Sequence, residues 1–177
     1  MLFLLIVFCV SILAGCKKQE FVSIENGERA FVFTAEGFQK SFNKNLEDPD
    51  LKIGQLETET GDGRNYSWYV YPNSGFSVHF VTEAENGYVT DVVETIEMVE
   101  STDSAQGGRL ISLLILSTNK SLDSSSGMQI LEELGLTKMD QWETGYIEET
   151  SFDGIVYHVS LDENYLLTLT IFPMLKE

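Results

Sequence analysis

Residues Arg64-Asn65-Tyr66-Ser67-Trp68-Tyr69-Val70-Tyr71-Pro72-Asn73-Ser74-Gly75-Phe76-Ser77-Val78-His79-Phe80-Val81 decide the fold. The first eight are rich in aromatic and β-branched side chains, which suit a pleated, half-buried surface. Pro72-Asn73-Ser74-Gly75 then collects turn formers, each with its own reason to bend the chain. After it, Phe76, Val78 and Phe80 alternate with Ser77, His79 and Val81, the period of two that marks a strand. A second turn follows at Glu85-Asn86-Gly87, where Asn-Gly is a strong hairpin signal. Residues 89–96 return as a third strand. The stretch therefore reads as a three-stranded antiparallel meander, with a fourth strand expected at residues 53–58.

Upstream, Thr34 is a candidate N-cap with Glu36 in the first turn. Phe38, Phe42 and Leu46 follow at i, i+4 and i+8, one apolar stripe of a helix. Asp48-Pro49-Asp50 breaks it, because proline biases its predecessor away from helix. Downstream, the polar stretch 100–108 divides the chain. Residues 109–116 (RLISLLIL) are apolar on all sides, and length alone does not separate buried helix from central strand. A helix is favoured, because another follows across the loop 117–123. That one is expected over 124–134, with Met128, Leu131 and Leu134 inward and Gly135 as its stop. A second meander closes the chain: 142–149, a turn at 151–154, 155–161, a turn at 162–164, and 165–172. In the last of these strands Tyr165, Leu167, Leu169 and Ile171 share one face.

The two parts resemble each other. Thr34-Ala35-Glu36-Gly37-Phe38-Gln39 lines up with Ser124-Ser125-Ser126-Gly127-Met128-Gln129, and Gly75-Phe76-Ser77-Val78-His79 with Gly154-Ile155-Val156-Tyr157-His158. The two histidines of the chain fall at matching places. The expected class is α+β, in two similar halves, each a helix or helix pair on an antiparallel meander of three to four strands. In the order of its elements the chain looks like the tandem helix-plus-sheet architecture of β-lactamase-inhibitor-like proteins, a likeness without a diagnostic motif.

The first sixteen residues carry an address. Residues 2–14 are uncharged and almost wholly apolar and end in small residues, the pattern of a secretory signal rather than of a permanent span, which needs roughly 20 apolar residues. Leu13-Ala14-Gly15-Cys16 resembles the lipobox of bacterial lipoproteins at every position, although no Lys or Arg precedes the apolar run. The resemblance implies cleavage before Cys16, lipidation of its thiol and anchoring to an envelope membrane through more than one acyl chain, since a single chain binds only marginally. It also implies that Cys9 leaves with the signal and Cys16 is alkylated. A mature domain without a disulfide or a thiolate zinc site would follow. Lys17 points to the outer membrane if the host has two. The expected organisation is a signal peptide over 1–15, a lipidated cysteine and polar tether over 16–27, a first half over 28–99 and a second over 100–177.

Eleven Lys and Arg against 28 Asp and Glu give a net charge of −17, all of it beyond Cys16. That field repels nucleic acid and suits a basic protein or peptide, or a solvated surface with no partner at all. Ser117-Thr118-Asn119-Lys120 matches S-x-x-K, but its companion K-T-G does not occur, and there is no G-x-S-x-G, H-E-x-x-H, phosphate loop or Rossmann glycine pattern. Asp48, Asp50 and Asp62 lie in loops without the spacing of a calcium loop. His79 and His158 read as two sheet-surface histidines before they read as metal ligands. No cofactor, metal or catalytic residue is expected. The candidate contact residues are Tyr66, Trp68, Tyr69 and Tyr71: strand alternation sends the first two to one face and the last two to the other, so one pair feeds the core and the other lies outward. The sequence thus leads to a lipid-anchored, non-catalytic module that binds a protein or peptide. The alternative is an envelope enzyme, or a small-molecule or carbohydrate binder, with a site assembled by the fold.

Overall fold

A computed structural model describes residues 21–24, 27–44, 46–72, 74–98 and 103–175. The apolar leader and Cys16 lie outside the described residues, as does most of the expected tether. Nine strands and three α-helices occur among them: β1 Phe21–Ser23, β2 Arg29–Phe31, α1 Ala35–Lys44, β3 Glu57–Gly61, β4 Arg64–Val70, β5 Phe76–Glu83, β6 Val89–Glu97, α2 Asp103–Thr118, α3 Ser124–Glu133, β7 Tyr146–Phe152, β8 Ile155–Leu161 and β9 Leu166–Pro173. The class is α+β. β1 and β2 form a small antiparallel pair, and the other seven strands form one antiparallel sheet in the order β3-β4-β5-β6-β9-β8-β7.

That order makes the two meanders mirror one another. They join along β6 and β9, where Val93 pairs Thr170. From that pair outward the partners run Val93–His79–Trp68 on one side and Thr170–His158–Glu149 on the other. A local two-fold through Val93 and Thr170 therefore relates His79 to His158. β3 stands outside this relation, because β7 has no further strand beyond it among the described residues.

One face of the sheet carries the core. Phe76, Val78 and Phe80 of β5, Val92 and Ile96 of β6, Tyr157 and Val159 of β8, and Leu167, Leu169 and Ile171 of β9 are all buried there. Residues 109–116 are helical, as the following helix suggested: Leu110, Ile111, Leu114 and Ile115 of α2 are buried, whereas Leu116 is exposed. Gly107 allows the close approach of α2 to β6, since a Cβ there would lie 2.7 Å from Ile96 Cδ1. Thr34 caps α1, accepting from the Gly37 amide at 3.1 Å. A phenylalanine series, Phe21, Phe31, Phe33, Phe38 and Phe42, links the small β-pair to α1, and Phe38 meets Phe80 of the sheet.

Several expectations shift. The fourth strand lies at Glu57–Gly61 rather than at 53–58. Ile53 is instead buried under α1, where Asn43 acts as its strand partner: the Ile53 amide donates to Asn43 Oδ1 at 2.9 Å and Asn43 Nδ2 donates to the Ile53 carbonyl at 2.7 Å. β3 and β4 close on Asp62-Gly63, with φ of 51° and 74°, and β7 and β8 on Asp153-Gly154, with φ of 50° and 79°. Both positions left-handed is the geometry of a two-residue hairpin turn that matches strand twist. Hence the second turn is two residues and not 151–154. Met128 points outward, 51% exposed, while Ile130 at 1% takes the inward place. β7 starts at Tyr146, because Trp142 is drawn out of line to stack on Tyr146 at 4.1 Å and to donate to the Gly135 carbonyl at 3.2 Å. Tyr165, with φ of 58°, belongs to the turn and not to the buried strand face.

Candidate functional site: the open face of the sheet

Alternation on β4 separates the four aromatic candidates as the sequence indicated. Tyr69 and Tyr71 point to the core side. Tyr71 is 3% exposed, donates to the Leu51 carbonyl at 3.1 Å and meets the Tyr69 ring edge-on at 4.9 Å. Burial, then the carboxyl of Glu94, raise its phenol pKa well above the ordinary range. Tyr71 is thus a core residue, and its place among the contact residues is withdrawn; Tyr69 is half-buried against that core. Tyr66 and Trp68 lie on the other side, with Val70 of the same strand 58% exposed.

That other side is the open face. Its middle row runs Glu57, Trp68, His79, Val93, Thr170, His158 and Glu149, one residue from each strand. None of the helices among the described residues packs on it, and Trp68, Val81, Val93 and Phe172 stand apart from the core cluster and from the side chains packed against it. Ile147 of β7 is 63% exposed on the same side. Acidic groups border the surface: Glu57 and Glu59 on β3, and Glu149 on β7. At one end Arg64 pairs with Glu28 at 2.7 Å and approaches Asp91 at 3.9 Å.

The two histidines have different surroundings. His79 Nε2 lies 2.7 Å from Ser77 Oγ, which lies 2.5 Å from Thr95 Oγ1. Burial lowers the His79 pKa, which favours the neutral ring. His158 Nδ1 faces Glu149 Oε2 at 3.4 Å across the strand pair. Three strand spacings separate the two rings' strands, about 14 Å, so they share no metal, and no group of three or more His, Cys, Asp or Glu side chains suited to a metal occurs among the described residues. Ser77 beside His79 has the contact of a nucleophile with a base. It lies near the start of β5, paired with Val70 of β4 and Thr95 of β6. The polar contacts tie Ser77, His79 and Thr95 together on the sheet surface.

The remaining candidates have structural duties. Asp48 accepts from the Asp50 amide at 3.1 Å and pairs with Arg109 at 3.3 Å, and Asp62 sits in the β3–β4 turn. In the S-x-x-K stretch, Asn119 is buried and donates to Tyr157 Oη at 3.3 Å. On the core side beside β3, a cleft of about 290 Å³ is lined by Thr34, Glu36, Thr58, Thr60, Asn65 and Ser67. Sequence reasoning missed one prominent group. Glu94 of β6 is 0% exposed, and neither carboxyl oxygen has a hydrogen-bond partner. Burial raises its pKa well above the ordinary value. The alternation that sends Val92 and Ile96 inward sends Glu94 with them, and that signal was available in the sequence.

No family model, curated protein or solved structure matches this chain. Among the described residues no helix is long and apolar enough to cross a membrane.

Proposed function

We propose that this protein is a lipid-anchored envelope module, held by Cys16, that binds a basic protein or peptide on the open face of its sheet. The observation that carries the reading is the outward pair Tyr66 and Trp68, with Val70 beside them, on a face that no helix among the described residues covers and with Glu57, Glu59 and Glu149 along its borders. Aromatic side chains supply large contact area with little entropy to lose, which suits the centre of a protein interface. Acidic borders steer a cationic partner and make its approach salt-sensitive. The net charge of −17 has the same sign. The lipobox-like Leu13-Ala14-Gly15-Cys16 supports the anchoring half of the proposal.

The chain has two tryptophans. Trp142→Phe therefore leaves Trp68 as the sole indole reporter, and titration with basic polypeptides should shift its emission at low salt and less so at high salt. Saturable binding that leaves the Trp68 signal and the open-face amides unchanged would refute the site. For the anchor, Cys16→Ser should abolish metabolic lipid labelling, and labelling that persists in that variant would refute it.

A further inference from the structure

We infer that the free edge of β3 takes up an extended basic segment of the partner as an additional antiparallel strand, with basic side chains at alternate positions facing Glu57 and Glu59. This rests on the open-face reading and names how the partner enters it.

Among the described residues β3 pairs only with β4, so its outer row of N–H and C=O groups has no strand partner there. Residues 57–60 are exposed on both sides of the strand. The opposite edge, β7, is less free: α3 packs along it, and Thr150 donates to Glu133 of that helix. Sheet edges are commonly protected by proline, by bulges, by a covering element or by charge. β3 has no proline, and its register with β4 runs without a break from Glu57–Trp68 to Gly61–Arg64. Among the described residues, charge is what guards it. Glu57 and Glu59 project to the same side, about 7 Å apart along the strand.

That arrangement selects one occupant. A second copy of this chain, pairing β3 with β3 or with β7, would set glutamates against Glu57 and Glu59 or against Glu148 and Glu149, and like charges directly opposite destabilise a strand pair. A strand with lysine or arginine at alternate positions reverses the sign of every such contact. Glu57 is in register with Trp68 and Glu59 with Tyr66, so the basic side chains of the added strand would continue the rows that hold the two outward aromatics. The intervening side chain would fall on the other side, next to Thr58 and Thr60 and the hydroxyl-lined cleft. Main-chain hydrogen bonds then give affinity and the alternate side chains give selectivity, the usual division in strand addition.

The test uses the full chain in a non-ionic detergent and three short peptides: alternating lysine and threonine, the same with alternate amides N-methylated on the pairing edge, and alternating glutamate and threonine. The lysine peptide should bind and slow hydrogen exchange of the β3 amides that point away from β4. N-methylation, glutamate replacement, or the double change Glu57→Lys with Glu59→Lys should each weaken it about tenfold or more. Equal binding of the N-methylated peptide, or binding that perturbs Trp68 while leaving β3 exchange unchanged, would overturn strand addition and leave the open-face reading standing. No response to the lysine peptide at either β3 or Trp68 would overturn both.

Discussion

Glu94 offers the sharpest test of the physical reading, because it is a buried carboxyl without a partner in the middle of the core face. An isolated carboxylate at such a site costs far more than its protonated form, so the group holds its proton to higher pH in the folded state than in the unfolded chain. Between the ordinary value of 4.5 and the raised folded value, the folded state binds one proton more than the unfolded state. Stability from this group is fully present below the ordinary value and falls as pH rises, by about 1.4 kcal/mol per pH unit, until the folded value is passed. Glu94→Gln removes the ionisation but keeps a polar group, so that slope should vanish and the gain over wild type should grow as pH rises. Glu94→Met also removes the unsatisfied polar atoms while filling nearly the same space, and should be more stable than Glu94→Gln by about 2 kcal/mol. For a chain of this size that is a rise in Tm of about 4–8 °C. Urea unfolding of the three proteins at a series of pH values between 4 and 8 measures both effects. Parallel pH dependences in the wild type and Glu94→Gln, or a Glu94→Met protein less stable than wild type at pH 7, would refute the argument.

Other substitutions test separate parts of the structure. Trp68→Ala should weaken binding of a basic polypeptide by about tenfold while leaving the β-sheet circular dichroism intact, whereas Tyr71→Ala should lower stability by about 3 kcal/mol through the cavity it opens; unfolding midpoints and binding isotherms separate the two. Asn43→Ala leaves the amide and carbonyl of Ile53 without their side-chain partner and should cost about 1–3 kcal/mol, read from urea midpoints. Gly107→Ala should destabilise despite its better helix propensity, because its Cβ meets buried Ile96; a net loss of about 1 kcal/mol is expected. An increase in Tm for this variant would show that α2 can shift away from β6 at little cost.

Most of the elements were legible because their side chains repeat at the period of the backbone. Phe38 and Phe42 marked α1, and the alternation through Phe76–Phe80 and Leu167–Ile171 marked β5 and β9 with the right face inward. The sequence alone also separated Tyr66 and Trp68 from Tyr69 and Tyr71, since two neighbouring strand positions cannot face the same way. Asp62-Gly63 is a hairpin signal in the sequence as well, and it fixes the position of β3. What only tertiary structure decided is of another kind. Ile53 forms no strand because Asn43, ten residues away in the chain, occupies its hydrogen-bonding groups. Met128 lies outside because α2 approaches α3 on the side of Gly127 and Ile130, a direction that the α3 pattern does not contain. The joining of β6 to β9 made one continuous sheet of two meanders, set His79 and His158 about 14 Å apart, and left one face open. Periodicity records which way a side chain points from its own backbone. Which neighbour waits there depends on contacts between distant segments, and those contacts exist only once the chain has folded.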